Sequence, residues 1–380
     1  MELTDAFQNI GTSNKDTIQN TLNFRKKDIA VYEQNKLHTD ACLKYTIARI
    51  SELEAAAHKK PDSIEAKVAA GLKKYLECLQ TWADGADIDL KDAWNLQFER
   101  FGCQTVLVRG TDGAVLLAHT EEWGVEDDEA AVLGNHASWS TFITPDGKKL
   151  QAFTGYPAAM PGSSFGMTEK TIFAVDSIEH QEIESDIAGV PAAVTTWLCW
   201  YLGDSADAKK IIETIGFHDG GYALNQIFKN EKNKPNGRTI EFVGNRVVER
   251  RLGRKPLRYQ IHTNRIENKR LRATHGAESE YDEYYESVTD THRKVRESWL
   301  GQDQKKRPNK RKQSLRSLQR EIGLVPFSVD ETQQHEQTAN EDTIATFVAS
   351  MDVTGYKEGI VSAGPQISGG KTESNFLRVR

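Results

Sequence analysis

From the N-terminus to about residue 100 the apolar positions recur every three or four residues; beyond Cys103 they alternate. That change of period predicts a helical beginning followed by a β-rich body. Residues 1 to about 60 are polar, and Ile29, Val31, Tyr32, Leu37, Leu43, Ile47, Ile50 and Leu53 follow a broken helical period that predicts amphipathic helices. Pro61-Asp62-Ser63 predicts a helix start, because Asp and Ser side chains accept backbone N–H bonds that a first turn leaves unmade. Ile64, Val68, Leu72, Tyr75, Leu76 and Leu79 share one face of the helix that follows, which ends near Gly85. A short helix from Leu90 to Phe98 then delivers the chain to Gly102.

Two β-rich runs flank Thr111-Asp112-Gly113, one opening at Cys103 and the other closing on His119-Thr-Glu121, and the pattern reads as a hairpin. In an antiparallel pair the start of one strand lies beside the end of the next. The Cys103 thiol and the Glu121 carboxylate are therefore expected to be neighbours. A second hairpin joins Thr141–Ile143 to Leu150–Phe153 through Pro145-Asp146-Gly147. After the segment Met160 to Met167 come a strand over Thr171–Val175 and two helices, Pro191–Leu202 and Ser205–Ile215. Proline suits a first helical turn and Asp204-Ser205 a cap. Strands resume at Gly221–Leu224, Thr239–Val243, Arg246–Val248 (turning at Gly244-Asn245) and Tyr259–Thr263. Residues 265 to about 321 are charged and helical in type; strands return at Thr343–Val348 and Ile360-Val361, with a turn near Tyr356–Gly359. This order predicts two antiparallel sheets enclosed by helices and excludes an all-parallel α/β fold.

A chain of 380 residues can bury a sizeable core, and its formal charge of -6 gives no overall reason to expect nucleic acid. The four cysteines (Cys42, Cys78, Cys103, Cys199) contain no CxxC pair and no disulfide framework, which points to reduced thiols in the cytoplasm. Met1-Glu-Leu-Thr-Asp-Ala-Phe lacks the basic and apolar regions of a signal peptide. The apolar run from Ile187 to Leu202 is interrupted by Pro191 and shorter than the roughly 20 residues of a membrane span, so a buried helix is expected. No His/Cys spacing suggests a metal site.

The chemistry converges on Cys103. A thiol attacks as its thiolate, with a base close by. If the bond before Cys103 is cut, the freed α-amine, with a pKa of about 7.7–8.0, becomes a base already held beside the sulfur. The cut itself needs the thiol to attack the carbonyl of Gly102, where the absence of a Cβ eases close approach. The plain alternative is a small buried side chain at a strand start, the usual role of a free cysteine.

The run from Gly102-Cys103 to His119-Thr-Glu121 resembles the start of the β-chain in the acyl-coenzyme A:isopenicillin N acyltransferase family, closest to the branch of the insect N-β-alanyldopamine hydrolase. Further similar segments follow in the family's order: Gly155 to Met167 with its Pro-Gly…Phe-Gly, Gly189-Val-Pro with Trp197 to Ala208, Ile261-His-Thr-Asn264, and Thr343 to Pro365. Together they cover about residues 65–365. The resemblance implies a four-layer αββα sandwich of the N-terminal-nucleophile type, cut between Gly102 and Cys103. Residues 1–102 would form a helical chain and residues 103–380 the catalytic chain, the two packing as one domain. It implies Cys103 as nucleophile, Glu121 as the acid beside the catalytic amine and Asn264 as the amide supporting the oxyanion. His119, Ser164, Phe165 and Asp176 would line the substrate pocket; His119 also reads as a hydrogen-bonded structural histidine, redundant as a base.

The implied substrate is a small N-acyl amine such as a β-alanyl amine, with no cofactor, no metal and no membrane partner. Acyl transfer, with an acyl-coenzyme A thioester or an amide as donor, is the alternative. Three departures matter. Pro326-Phe-Ser-Val-Asp330-Glu331 puts acids where some members have an arginine, while Thr168 and Asp176 stand where asparagines are common. The acids Glu121-Glu122 and Glu126 to Glu129 suit a cationic substrate, or simply a solvated loop. The basic run Lys305 to Lys312 leaves a reading from another class, a non-catalytic binding protein; without interleaved aromatics it reads better as a solvated connector than as a nucleic-acid site.

Overall fold

The computed structural model describes residues 2–58, 60–98, 102–110, 112–124, 138–154, 159–178, 188–203, 207–230, 232–256, 258–275, 341–354, 356–363 and 377–379. The basic run at 305–312, the acids at 126–129 and the segment 326–331 lie outside them.

Helices come first: α1 (Leu3–Ser13), α2 (Lys15–Arg25), α3 (Ile29–Ala57), α4 (Ile64–Ala86) and α5 (Leu90–Leu96). Three of their starts are capped as their sequences suggest. Asp28 accepts from the Val31 amide, Ser63 from Ala66 and Asp89 from Asp92, each satisfying an N–H of a first turn. The long α3 is where the apolar period misleads. Its buried stripe runs Tyr32, Thr39, Cys42, Leu43, Thr46, Ile50, Leu53, Ala57, whereas Ile29, Val31, Leu37 and Ile47 are exposed. Thr39, Cys42 and Thr46 face inward because their polar atoms find partners within the helix; the Thr46 hydroxyl, for one, donates to the carbonyl of Cys42. α1 crosses α4 so closely that a Cβ on Gly85 would lie 2.3 Å from the carbonyl oxygen of Gln8, so only glycine fits there.

The β-rich body contains two sheets. One has the order β11-β1-β2-β12-β13-β14, from β1 (Gly102–Arg109), β2 (Val115–Gly124), β11 (Tyr259–His262), β12 (Glu341–Met351), β13 (Lys357–Ala363) and β14 (Leu377–Val379). The other runs β10-β9-β8-β6-β5-β4-β3, from β3 (Ser138–Ile143), β4 (Lys149–Thr154), β5 (Phe165–Thr168), β6 (Thr171–Ser177), β8 (His218–Lys229), β9 (Pro235–Gly244) and β10 (Arg246–Arg251). The two-residue β7 (Val190–Pro191) adds to β8 in parallel and leads into α6 (Ala192–Leu202) and α7 (Ala208–Ile215). A further helix, α8 (Lys269–His275), follows β11.

Alternation along the strands assigns the layers. In β6, Phe173 and Val175 join a core that also holds Leu72, Tyr75, Trp82, Trp94, Trp197 and Trp200 of the helices. Ile172 and Ala174, on the opposite face, join Leu107, Leu117, Phe347 and Ala349 of the other sheet. Helices thus cover one face of the larger sheet, and the two sheets face each other across the second core. The fold is mixed α+β, with two antiparallel sheets and helices against them. Arg49 of α3 ties the helical layer together, donating to the carbonyls of Thr214 (2.8 Å) and Ile215 (2.9 Å) at the end of α7, where the helix leaves carbonyls without intrahelical partners.

Candidate active site around Cys103

The hairpin expectation holds in register. Cys103 pairs with Glu121, Thr105 with His119 and Leu107 with Leu117. With a period of two, Cys103, Thr105 and Leu107 point to the same side, as do Leu117, His119 and Glu121. The inter-sheet layer is therefore apolar at one end, around Leu107 and Leu117, and polar at the other.

At the polar end the Cys103 thiol donates to Glu121 Oε2 at 3.2 Å, and Glu121 Oε1 lies 2.8 Å from His119 Nε2. The Ser164 hydroxyl also donates to Glu121 Oε1. On its other side His119 Nδ1 meets Thr105 Oγ1 at 2.8 Å, and that hydroxyl donates to Asp176 Oδ1 at 2.6 Å. A hydroxyl has one hydrogen, so His119 Nδ1 must be the donor to Thr105; Nε2, facing a carboxylate, must donate as well. With both facing acids ionised, His119 is an imidazolium. Burial alone would push its pKa down, but the charges of Glu121 and Asp176 and the bonds to them prevail and raise it to about 9.

Asp176 is the centre of the cluster. Its Oδ2 accepts from Asn225 Nδ2 at 2.8 Å and lies 2.9 Å from His262 Nδ1, an ion-pair contact without the alignment of a hydrogen bond. The other nitrogen of His262 faces Glu241 Oε1 at 3.3 Å, so this ring too lies between two carboxylates. Burial opposes its charge, the two acids outweigh burial, and its pKa rises to about 9. Burial works against the Asp176 charge, yet the ion pairs with His119 and His262 hold the carboxyl below its ordinary range. Asn225 in turn accepts from the Thr239 hydroxyl at 2.8 Å. All of these side chains are enclosed, with Cys103 only 2% exposed and Asp176 at 0%.

Asn264 occupies the opposite flank of Cys103. Its Oδ1 accepts from the Cys103 backbone N–H at 2.9 Å, while its Nδ2 donates to the Ser177 carbonyl (3.0 Å) and hydroxyl (2.9 Å). Flipping the amide would set N–H against N–H and oxygen against oxygen, so the assignment is unambiguous. The side chain's oxygen thus faces the nitrogen of Cys103 and its N–H groups face Ser177.

The residues expected to line a pocket divide in two. Ser164 holds Glu121, and His119 and Asp176 sit inside the polar cluster. Phe165 belongs to the apolar end, stacked between Phe153 (4.5 Å between ring centres) and Phe347 (4.8 Å), with its ring against that of His119. A surface cavity of about 230 Å³ lined by Lys67, Lys148, Lys149 and Lys170 contains none of these residues. Thr105, Ser177, Asn225, Thr239 and Glu241 were not expected at the site, and His262, part of the Ile261–Asn264 motif, had no role assigned. The signal was present: polar residues at alternate positions of otherwise apolar strands, as in Thr239 and Glu241, are an inward-facing polar row.

The donor atoms of Cys103, His119 and Asp176 lie within 4.8 Å of one another, the spread of a metal site. Each already has a partner, however: Glu121 for the sulfur, and Thr105, Asn225 and the two imidazoles for the rest. A cation there would have to break those bonds. Among the described residues no helix is long and apolar enough to cross a membrane. Compared with known protein families and with curated proteins, the chain matches none.

Proposed function

We propose that the chain is a self-processing amidohydrolase whose nucleophile is Cys103, made N-terminal by cleavage after Gly102. The observation that carries this reading is that Cys103 is held at both of its reactive atoms. Glu121 accepts from its sulfur and Asn264 from its nitrogen, with a charged histidine fixed behind Glu121. A cysteine that merely fills space at a strand start needs an acceptor for its backbone N–H but no carboxylate at its sulfur.

The two partners divide the chemistry. Before cleavage the Cys103 nitrogen belongs to a peptide bond and cannot act as a base. Glu121 Oε2 is then the acceptor within reach of the thiol proton. The thiolate attacks the Gly102 carbonyl, the C–N bond breaks, and the acyl group passes to sulfur while the nitrogen leaves as an amine. Water hydrolyses the thioester, giving a Gly102 carboxylate and a free Cys103 thiol. After cleavage the α-amine takes over as base, and Asn264 Oδ1 is placed to hold it. Attack on a substrate amide forms an acyl-cysteine, the substrate amine departs, and water releases the acid.

A small N-acyl amine, β-alanyl amines first, is the substrate class to test. The protein is incubated with an N-β-alanyl amine, quenched in acid and weighed intact. A β-alanyl adduct on the fragment beginning at Cys103, with stoichiometric amine release, supports the reading; release that persists in Cys103→Ala contradicts it. Adding a second amine to the acyl-enzyme, or supplying an acyl-coenzyme A donor, separates hydrolysis from transfer.

A further inference from the structure

A second cluster lies outside the polar layer between the sheets. His38 and Cys42 stand four residues apart on α3, a spacing that puts both side chains on one face of a helix. Spacing rules applied to the sequence overlook this pair because the third member is remote: Asp219, from the start of β8. The register of β8 against β9 slips between His218 and Gly221, and Gly220 takes a φ of 82°. Such a bulge re-aims a side chain that a regular ladder would place elsewhere. Here it turns Asp219 toward α3, so that Asp219 Oδ1 lies 3.0 Å from His38 Nε2 while Cys42 Sγ lies 3.6 Å from the same nitrogen.

One ring nitrogen therefore faces both a carboxylate and a sulfur, and it carries at most one hydrogen. Hydrogen bonding serves one of the two neighbours fully and leaves the other facing the shared atom. A metal ion at the point where the three donors converge serves all of them. The spacing fits. Tetrahedral bonds of about 2.3 Å to sulfur and about 2.0–2.1 Å to nitrogen and oxygen set S and N about 3.6 Å apart, and N and O about 3.3 Å apart. All three donor atoms lie within 4.8 Å of one another. Cys42 is buried, while His38 and Asp219 retain 34% and 21% of their side-chain exposure, which leaves a way in for an ion and for water as fourth ligand.

We propose that His38, Cys42 and Asp219 form a site for a borderline divalent cation of the zinc type, bound through one imidazole nitrogen, one thiolate and one carboxylate oxygen. The mixed N, S, O set suits Zn²⁺ or Co²⁺ and disfavours Mg²⁺ and Ca²⁺, which require oxygen ligands. The ion joins the helical layer to the larger sheet. This holds whether or not the chain is cut after Gly102; in a cut protein, two ligands belong to one fragment and the third to the other.

The test is Co²⁺ titration of the full-length, reduced, chelator-treated protein, followed by absorbance. The site predicts one equivalent bound, with a thiolate-to-cobalt band in the near ultraviolet and visible bands of a tetrahedral ion. The near-ultraviolet band is lost in Cys42→Ser and kept in Cys103→Ala. Asp219→Asn, on a part-exposed residue, keeps the band but weakens binding at least about tenfold. No binding at stoichiometric Co²⁺ overturns the proposal. So does a band that survives Cys42→Ser or disappears in Cys103→Ala, or an affinity unchanged by Asp219→Asn. Circular dichroism of each variant shows that a lost band is not lost folding.

Discussion

Asp176→Asn removes one charge from the centre of the buried cluster without changing its shape. Asp176 lies 2.9 Å from His262 Nδ1 and 3.4 Å from His119 Nδ1, with no exposure to water. Removing one member of a buried ion pair costs about 3–5 kcal/mol, and that range is expected near neutral pH. The pH dependence is the sharper readout. His119 and His262 are each held at about 9, against an ordinary value of 6.5. Their contribution is thus fully present below pH 6.5 and is lost as pH rises through 9. Within that window the folded protein holds protons that the unfolded chain has released, so stability falls by about 1.4 kcal/mol per pH unit for each ring. With Asp176 neutral, burial lowers both imidazoles toward neutrality, each retaining a single carboxylate, Glu121 or Glu241. Urea unfolding of parent and variant across this range should give a steep alkaline decline for the parent and a flattened one for Asp176→Asn. The two curves should converge toward high pH. Parallel curves, or a loss below about 1 kcal/mol at neutral pH, would refute the assignment of charge to these histidines.

Other expectations concern single sites. Glu121→Gln, which keeps the shape but removes the acceptor of the thiol proton, should slow cleavage after Gly102 by about 10²-fold or more, measured by densitometry of freshly purified protein. Asn264→Ala should impair turnover of a cleaved protein more than a substitution at Ser177, because its oxygen faces the Cys103 nitrogen directly; steady-state amine release measures this. His218 is buried with its ring bonded to Thr195 and the Ile212 carbonyl, and burial lowers its pKa to about 3. Its contribution is present above pH 6.5 and is lost as pH falls toward 3, so His218→Asn should flatten the acid limb of the same urea series. Gly85→Ala should destabilise by about 1–3 kcal/mol despite the better helix former, since the new methyl meets the Gln8 carbonyl; thermal melting reports it.

Local chemistry made much of the fold legible. Ser63 caps α4, Asp112-Gly113 turns β1 into β2, and Asp146-Gly147 turns β3 into β4, because each residue favours its conformation in any context. The β1–β2 turn alone was enough to set Cys103 beside Glu121. Less legible were β5, four residues preceded by glycine- and serine-rich chain, and β14, only three residues long; each is too short to show a period of its own and is fixed by pairing, β5 with β4 and β6 and β14 with β13. Strand β13 already begins at Lys357, within the segment expected to turn. The buried face of α3 was obscured by inward Thr39, Cys42 and Thr46, whose partners compensate their polarity. The candidate site shows the same division. Cys103 and Glu121 follow from one hairpin, whereas Asp176, Asn225, Thr239 and Glu241 meet them only because a second sheet lies opposite. The direction in which Asn264 points depends on Ser177, which no spacing rule connects to it.

Mass analysis of the freshly expressed, full-length protein under denaturing conditions tests the central claim most directly. Cleavage between Gly102 and Cys103 predicts two polypeptides, of 102 and 278 residues (380 minus 102), the larger beginning with Cys103, and a single undivided chain for Cys103→Ala. A parent protein that remains one chain of 380 residues after prolonged incubation, or a Cys103→Ala protein cut at the same bond, would contradict it.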